Sequence, residues 1–245
     1  MFSRIFSAFI QALIAIALIY LFYVAINQKL DWSSVWAYRS MFFKGWLITI
    51  GLSIACLLLS LLTGLLAALC ARSRLPLLTL ISSVYVEIIR GTPLLVQILF
   101  FFYVVANHIG LENRYVAGVI ILSLFNGAYI AEMIRSGIET VSETQLESAR
   151  AIGLSQVQAY RFVIFPQAIR QIIPPLTGQF VSIIKDSSLL SIIGINELTN
   201  SAQQINSATY STLETYFPLG LAYLVLTLPI SLWSKRLEKR FQYET

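Results

Sequence analysis

Histidine, cysteine and charge are all scarce in this 245-residue chain. The one histidine, His108, sits in a short polar loop, which excludes multi-histidine metal sites and speaks against histidine-based catalysis. The two cysteines, Cys56 and Cys70, lie in or at the end of one apolar run, where they read as small buried hydrophobes rather than a disulfide or metal site. Charged residues make up 12% of the chain, against about 25% in an ordinary soluble domain. No Gly-x-x-x-x-Gly-Lys-Ser/Thr phosphate loop is present, so the chain is not expected to hydrolyse ATP itself. Nor is there a Gly-x-Gly-x-x-Gly after a strand pattern, a Ser–His–Asp order, a metal-ligand cluster, an internal repeat or a low-complexity tract.

Apolar residues account for 57% of the chain and fall into long runs. Spans are expected near 5–26, 46–71, 94–106 with its lead-in 77–90, 115–134, 174–193 and 216–233. The first run competes with a secretory signal peptide, but it exceeds the usual apolar region of about 7–15 residues and ends in Asn27-Gln28-Lys29, so a retained span is expected. Residues 31–44 carry Trp32, Trp36 and Tyr38, the aromatic composition of a membrane interface. Residues 196–214 read as a polar loop. The formal charge of +5 is spread between spans, which argues against nucleic acid as a partner. Placing residues 142–166 in the cytoplasm puts eleven basic residues on that side (Arg4, Arg72, Arg74, Arg135, Arg150, Arg161, Arg170, Lys235, Arg236, Lys239 and Arg240). Four remain outside: Lys29, Arg39, Lys44 and Arg114. The positive-inside rule favours that orientation, with both termini cytoplasmic.

The stretch from Ser142 to Pro166 is the polar island of the chain. Ser142 and Gln145 have capping-box spacing, Gly153 suits a left-handed helix end, and Ser155 and Gln158 repeat the capping box. Pro166 is expected to stop the second helix, giving a helix–Gly–helix hairpin. Glu147-Ser148-Ala149, three residues, Gly153, nine residues and then Val163-Ile164-Phe165-Pro166 resembles the EAA motif of permease subunits in ATP-binding-cassette (ABC) importers. The departures, Ser148, Val163 and Phe165, are small or apolar exchanges that keep the glycine and the proline. Two further segments, 86–97 (Val-Glu-Ile-Ile-Arg-Gly-Thr-Pro-Leu-Leu-Val-Gln) and 185–194 (Lys-Asp-Ser-Ser-Leu-Leu-Ser-Ile-Ile-Gly), are similar to segments of the permeases for polar amino acids. Residues 126–132 also fit that group.

The resemblance implies an all-α polytopic helix bundle of about six spans, the transmembrane domain of a type I ABC importer, over residues 45–238. Residues 1–44 would be an added N-terminal span with its extracytoplasmic segment, and 239–245 a cytoplasmic tail. It further implies two permease subunits, identical or paralogous, in a bacterial inner membrane. Two ATPase subunits would bind ATP and Mg²⁺, and an extracytoplasmic binding protein would deliver a polar amino acid. Glu147, Ala149, Gly153 and Pro166 would belong to the element that couples to the ATPases.

The polar groups at membrane depth are the candidate substrate path: Asn126, Glu132, Gln179, Ser182, Lys185 and Asp186. A charge at a helix centre costs about 2.5–3.5 kcal/mol on insertion scales, so lipid exposure is disfavoured. Gln179, Ser182 and Asp186 share a face at i, i+3, i+7 spacing. A zwitterion needs an anionic and a cationic partner, and this stretch offers both. The competing reading is an ion-pair or hydrogen-bond network that only holds the bundle together, with Glu132 paired to Arg135 and Arg90 an interfacial anchor. A gradient-driven carrier using Glu132, Lys185 and Asp186 as a relay, and an integral membrane enzyme, are the other functional classes; a co-purifying ATPase would separate the first from an ABC permease.

Overall fold

The computed structural model describes residues 13–17, 19, 20, 23, 30–141 and 143–242. The expected first span falls largely outside the described residues, as do Ser142 of the first capping box and the last residues of the tail. The described residues are helical or in short connections, with no strand among them.

A short helix, α1 (Trp32–Trp36), is capped by Asp31, which accepts from the Ser33 backbone N–H at 3.1 Å. The Ser33 hydroxyl and N–H together hold the Asp31 carboxyl below the usual carboxylate range. Helix α2 (Arg39–Ala71) begins seven residues before the apolar run at Trp46. Its 33 residues extend roughly 50 Å, more than a bilayer core of about 30 Å, so it tilts or projects.

The expected span over 77–106 is broken. Helix α3 (Pro76–Gly91) meets α4 (Leu94–Phe100), which continues as a π-helical turn (Phe101–Ala106), at a bend of 109°. Pro93 has no N–H to continue the ladder and Thr92 before it is extended, at φ −124° and ψ 146°. Thr92 does not cap α4 as its position suggests. Its hydroxyl turns back and donates to Ile88 O at 2.9 Å. The buried Gln97 amide lies 2.7 Å from both Ile89 O and the Thr92 hydroxyl. The free carbonyls at the end of α3 are thereby satisfied by side chains.

Helix α5 (Arg114–Glu139) starts at Asn113, whose side chain accepts from the Tyr115 and Val116 N–H groups. Helices α6 (Glu143–Ala151) and α7 (Gln156–Ala159) form the hairpin. Its second arm does not stop at Pro166. It passes through a π turn (Tyr160–Ile164) into α8 (Phe165–Asp186) and ends in a 3₁₀ turn (Ser187–Ile193). Phe165 is helical at φ −60° and ψ −43°, because the wider π turn shifts the hydrogen-bond register just where Pro166 lacks a donor. Pro174 and Pro175, expected to open a span, lie inside α8. The Thr177 hydroxyl donates to Pro174 O at 2.7 Å and meets the Ser234 hydroxyl, which ties this part of α8 to α10.

Residues 196–214, expected as a polar loop, contain helix α9 (Leu198–Thr209). Its polar outer face hides the pattern, but Leu198, Ala202 and Ile205 follow i, i+4, i+7 and are all buried. Glu197 caps it, accepting from the Thr199 and Asn200 N–H groups at 2.8 and 2.7 Å and from the Tyr223 hydroxyl at 3.0 Å. Helix α10 (Thr212–Gln242) follows. Single helices α2, α5 and α10 are long and apolar enough to cross a membrane; counting each bent pair as one span gives up to five.

The core is built by Leu52 and Cys56 of α2, Ile98 of α4, Leu122 of α5, Ile183 of α8 and Leu190 of the 3₁₀ turn. Helices α2 and α5 approach backbone to backbone. A Cβ on Gly64 would stand 2.7 Å from Ile130 Cγ2 and 2.9 Å from Gly127 O. Helix α10 instead turns Leu221, Val225, Leu228 and Leu232 outward, away from this core.

Gly64→Ala should therefore cost roughly 1–3 kcal/mol, the usual range for overpacking a close contact. Gly51→Ala, where an added Cβ meets nothing within 4 Å, should be neutral. Thermal unfolding of the two variants in detergent checks the difference.

Candidate functional site

The hairpin turns at Gly153, which sits at φ +86°. Leu154 N–H donates to Ala149 O at 3.1 Å and Gly153 N–H to Arg150 O at 2.9 Å, the two bonds of a Schellman end. An added Cβ would meet no atom within 4 Å, so the demand for glycine is conformational rather than steric. The next helix opens with both bonds of a capping box: Gln158 N–H to the Ser155 hydroxyl at 3.3 Å and Ser155 N–H to Gln158 Oε1 at 2.8 Å.

The hairpin is tied to the bundle. The Gln167 amide donates to the Gln145 side chain, and Arg72 Nη2 donates to the Tyr160 hydroxyl at 3.2 Å. Glu147 is exposed on α6, whereas Ala149 is buried and packs the hairpin rather than covering its outer surface. Pro166 lies at the start of α8. Ile152 and Val157, on either side of Gly153, are 78% and 76% exposed. Together they form an apolar tip.

The six polar residues at membrane depth separate into three groups. Asn126 and Gln179 are buried and joined, Gln179 Nε2 donating to Asn126 Oδ1 at 2.5 Å, while Asn126 Nδ2 donates to Leu122 O at 2.9 Å. Ser182 and Asp186 continue the Gln179 face of α8 and are half-buried; Lys185 is exposed. Among the described residues, no hydrogen bond or salt bridge engages the Asp186 carboxylate or the Lys185 ammonium.

Glu132 belongs to a separate ionic cluster. It takes Arg135 on both oxygens, at 2.6 and 2.9 Å, and faces Arg90 at 3.5 Å. Arg135 also reaches Glu139 at 2.6 Å, and Arg90 lies over the Tyr129 ring at 5.5 Å. The Arg135 pairing foreseen for Glu132 is present, and Arg90 joins it rather than standing alone as an anchor. A cavity of about 390 Å³ beside the cluster is lined by Ser82, Glu87, Arg90, Glu132 and Arg135.

Antiparallel α5 and α8 set the levels. Asn126 meets Gln179, and Gly137 meets Ile172. At 1.5 Å per residue, Glu132 lies about 9 Å from the amide pair toward the hairpin, and Asp186 about 10 Å in the other direction. One amino-acid-sized molecule cannot touch both at once. Sequence reasoning missed Gln97 and Glu197 as determinants of the architecture. Gln97 follows Pro93 by four residues, a spacing that could have signalled a return to the break; Glu197 gave no such signal within a polar stretch. Among the described residues, no group of His, Cys, Asp or Glu could hold a metal ion. These residues offer hydrogen bonding and charge at three levels along α5 and α8.

Residues 60–243 match the family model described as binding-protein-dependent transport system inner membrane component. The glutamine transport system permease protein GlnP of Escherichia coli (strain K12) is 33% identical over 218 residues, covering 88% of this chain and 99% of GlnP. The probable glutamine ABC transporter permease protein GlnM of Bacillus subtilis (strain 168) is 37% identical over 204 residues, covering 83% of this chain and 94% of GlnM. The crystal structure of an amino acid ABC transporter with histidines superposes with a TM-score of 0.80 at 37% identity, over 87% of this chain and 100% of that one. An inward-facing structure of the MetNI methionine ABC transporter shares the fold, with a TM-score of 0.68 at 17% identity over 82% of this chain and 96% of that one. With three quarters of its length inside the family model and relatives matched nearly end to end, the chain belongs to the family of binding-protein-dependent transport system inner membrane components, the permease subunits of ABC importers.

Proposed function

We propose that this permease subunit passes a polar amino acid inward, driven by ATPase subunits that dock on the hairpin around Gly153. The observation that carries the coupling half of this reading is the apolar tip. Ile152 and Val157 are among the most exposed large apolar side chains of the described chain, yet they sit on a polar hairpin that follows the end of α5. Exposed apolar groups rimmed by polar ones mark a protein contact. Glu147 lies on the same hairpin, and Gly153 and Pro166 shape it. Buried Ala149 sets the spacing of its arms. A gradient-driven carrier would leave this tip without a role.

The substrate half rests on relatives named for glutamine and on a structural relative that is an amino acid transporter. Within the chain, the unpaired Asp186 and Lys185 provide the two charges a zwitterion needs at one level. The Asn126–Gln179 amides and the Glu132 cluster follow at deeper levels. Residues 45–238 make up the transport domain, after an added span in 1–44 and before a tail in 239–245, with the hairpin and both termini cytoplasmic. ATP and Mg²⁺ bind the partner ATPases. A second permease subunit, identical or paralogous, completes the passage, and an extracytoplasmic binding protein delivers the substrate.

Gly153→Val forces a β-branched residue into the left-handed region, at a local cost of at least about 1–2 kcal/mol. The spans should stay inserted while ATPase co-purification and substrate-stimulated ATP hydrolysis fall together. Glu147→Ala should have a milder effect, because a solvated charge near a helix start is worth about 0.3–1 kcal/mol. A Gly153→Val subunit that holds its ATPase and transports normally would show that the hairpin is only a loop.

Asp186→Ala and Lys185→Ala should lower uptake while leaving membrane abundance near normal, since neither group is held in a buried network. If either were so held, its loss would cost about 3–5 kcal/mol and the protein would disappear from the membrane. Uptake and immunoblot abundance, measured side by side, distinguish the outcomes.

A further inference from the structure

A cleft of about 1040 Å³ opens between α1, the start of α2 and the start of α10, outside the passage discussed above. Its wall is apolar and aromatic: Trp32, Trp36, Phe43, Trp46, Pro218 and Val225. Hydrogen bonds hold it in shape. The Asp31 N–H donates to Glu214 Oε1 at 2.8 Å, and the Ser34 and Ser211 hydroxyls meet at 3.1 Å, fixing α1 to the start of α10. Deeper in, the Trp46 indole N–H donates to Ala222 O at 3.3 Å and closes α2 against α10.

Arg39 stands at the lip. Its guanidinium lies over the Trp36 ring at 5.5 Å, and Nη1 donates to Trp36 O at 3.1 Å. Among the described residues no carboxylate pairs with it, and of its five N–H donors one is engaged, by Trp36 O. Glu214, the acidic group in the same wall, is buried and already engaged by the Asp31 N–H. The cleft thus has an unpaired planar cation above an apolar slot, beside tryptophans of the kind that settle at a membrane surface.

We propose that this cleft is a phospholipid site, with the phosphodiester on the Arg39 guanidinium and an acyl chain between Trp46 and Val225. The fork of a guanidinium matches a phosphate in two-point hydrogen bonding, and the slot below is lined mostly by apolar side chains that suit an acyl chain. The apolar run before residue 30 is the rival occupant. Its described residues 13–17, 19, 20 and 23 are exposed, and none lines the cleft. A bound lipid here would brace α10, which is packed by few neighbours on its outer side.

Three of the four tryptophans line this cleft, and only Trp233 does not, which supplies the test. The full-length Trp233→Phe protein in detergent is titrated with phosphatidylglycerol carrying dibrominated acyl chains, which quench nearby tryptophan. Quenching should saturate, and its apparent affinity should fall about tenfold in Arg39→Gln, the usual worth of one charge-assisted hydrogen bond. Arg39→Lys should retain most of it, and dibrominated diacylglycerol, which lacks the phosphate, should not respond to either substitution. Equal quenching by both lipids, unaffected by Arg39→Gln, would reduce the cleft to ordinary contact with acyl chains. No quenching at all would mean that protein fills it, whether the N-terminal run or a second permease subunit. Either result overturns the proposal.

Discussion

Within hydrocarbon a backbone N–H or C=O has no water to turn to, and an unsatisfied group costs several kcal/mol. The structure is shaped by that constraint wherever the chain departs from a plain helix. The break between α3 and α4 is possible because Thr92 and Gln97 return hydrogen bonds to Ile88 O and Ile89 O. The turn after α8 is possible because Gly194, at φ +73°, lets Ile195 and Gly194 bond back to Leu190 and Ser191, and because Glu197 caps α9. Arg114 closes this turn from α5, donating to Gly194 O at 2.9 Å. At both places side chains supply bonds that the interrupted backbone ladder leaves open.

The same constraint explains where polarity collects. The Asn126–Gln179 pair, the Glu132 cluster and the Asp186 level all lie on α5 and α8 or face them, while α10 turns mostly leucine and valine outward. Helix α8 runs from the π turn through Pro166 and Pro174 to Asp186, so the hairpin's second arm and the face carrying Gln179 and Asp186 belong to one continuous helical stretch.

Much of the molecule was legible in the residues. Apolar run length marked the single spans, because crossing hydrocarbon demands about 20 apolar residues regardless of neighbours. Gly153 and the Ser155 capping box were readable because helix ends are local: their bonds join residues three to five apart in the chain. The family resemblance carried by Glu147, Gly153 and Pro166 was likewise a matter of spacing along the chain.

What the sequence left open was everything that depends on which surface meets which. Pro166 read as a helix end and Pro174 as the opening of a new span, because proline's local preferences are to stop a helix or to begin one; α8 instead runs through both, with a π turn just before Pro166. Helix α9 read as a loop, because its few apolar residues matter only once α2 and α10 are beside them. That Arg90 of α3 would reach Glu132, and that Asn126 would hold Gln179 across 53 residues of chain, were decided by the packing of α5 against α3 and α8, whereas the Glu132–Arg135 pair, three residues apart, was local. Local hydrogen bonds and run lengths are properties of the chain and survive in its sequence. Partnerships between distant side chains exist only after helices dock, and only the tertiary structure could settle them.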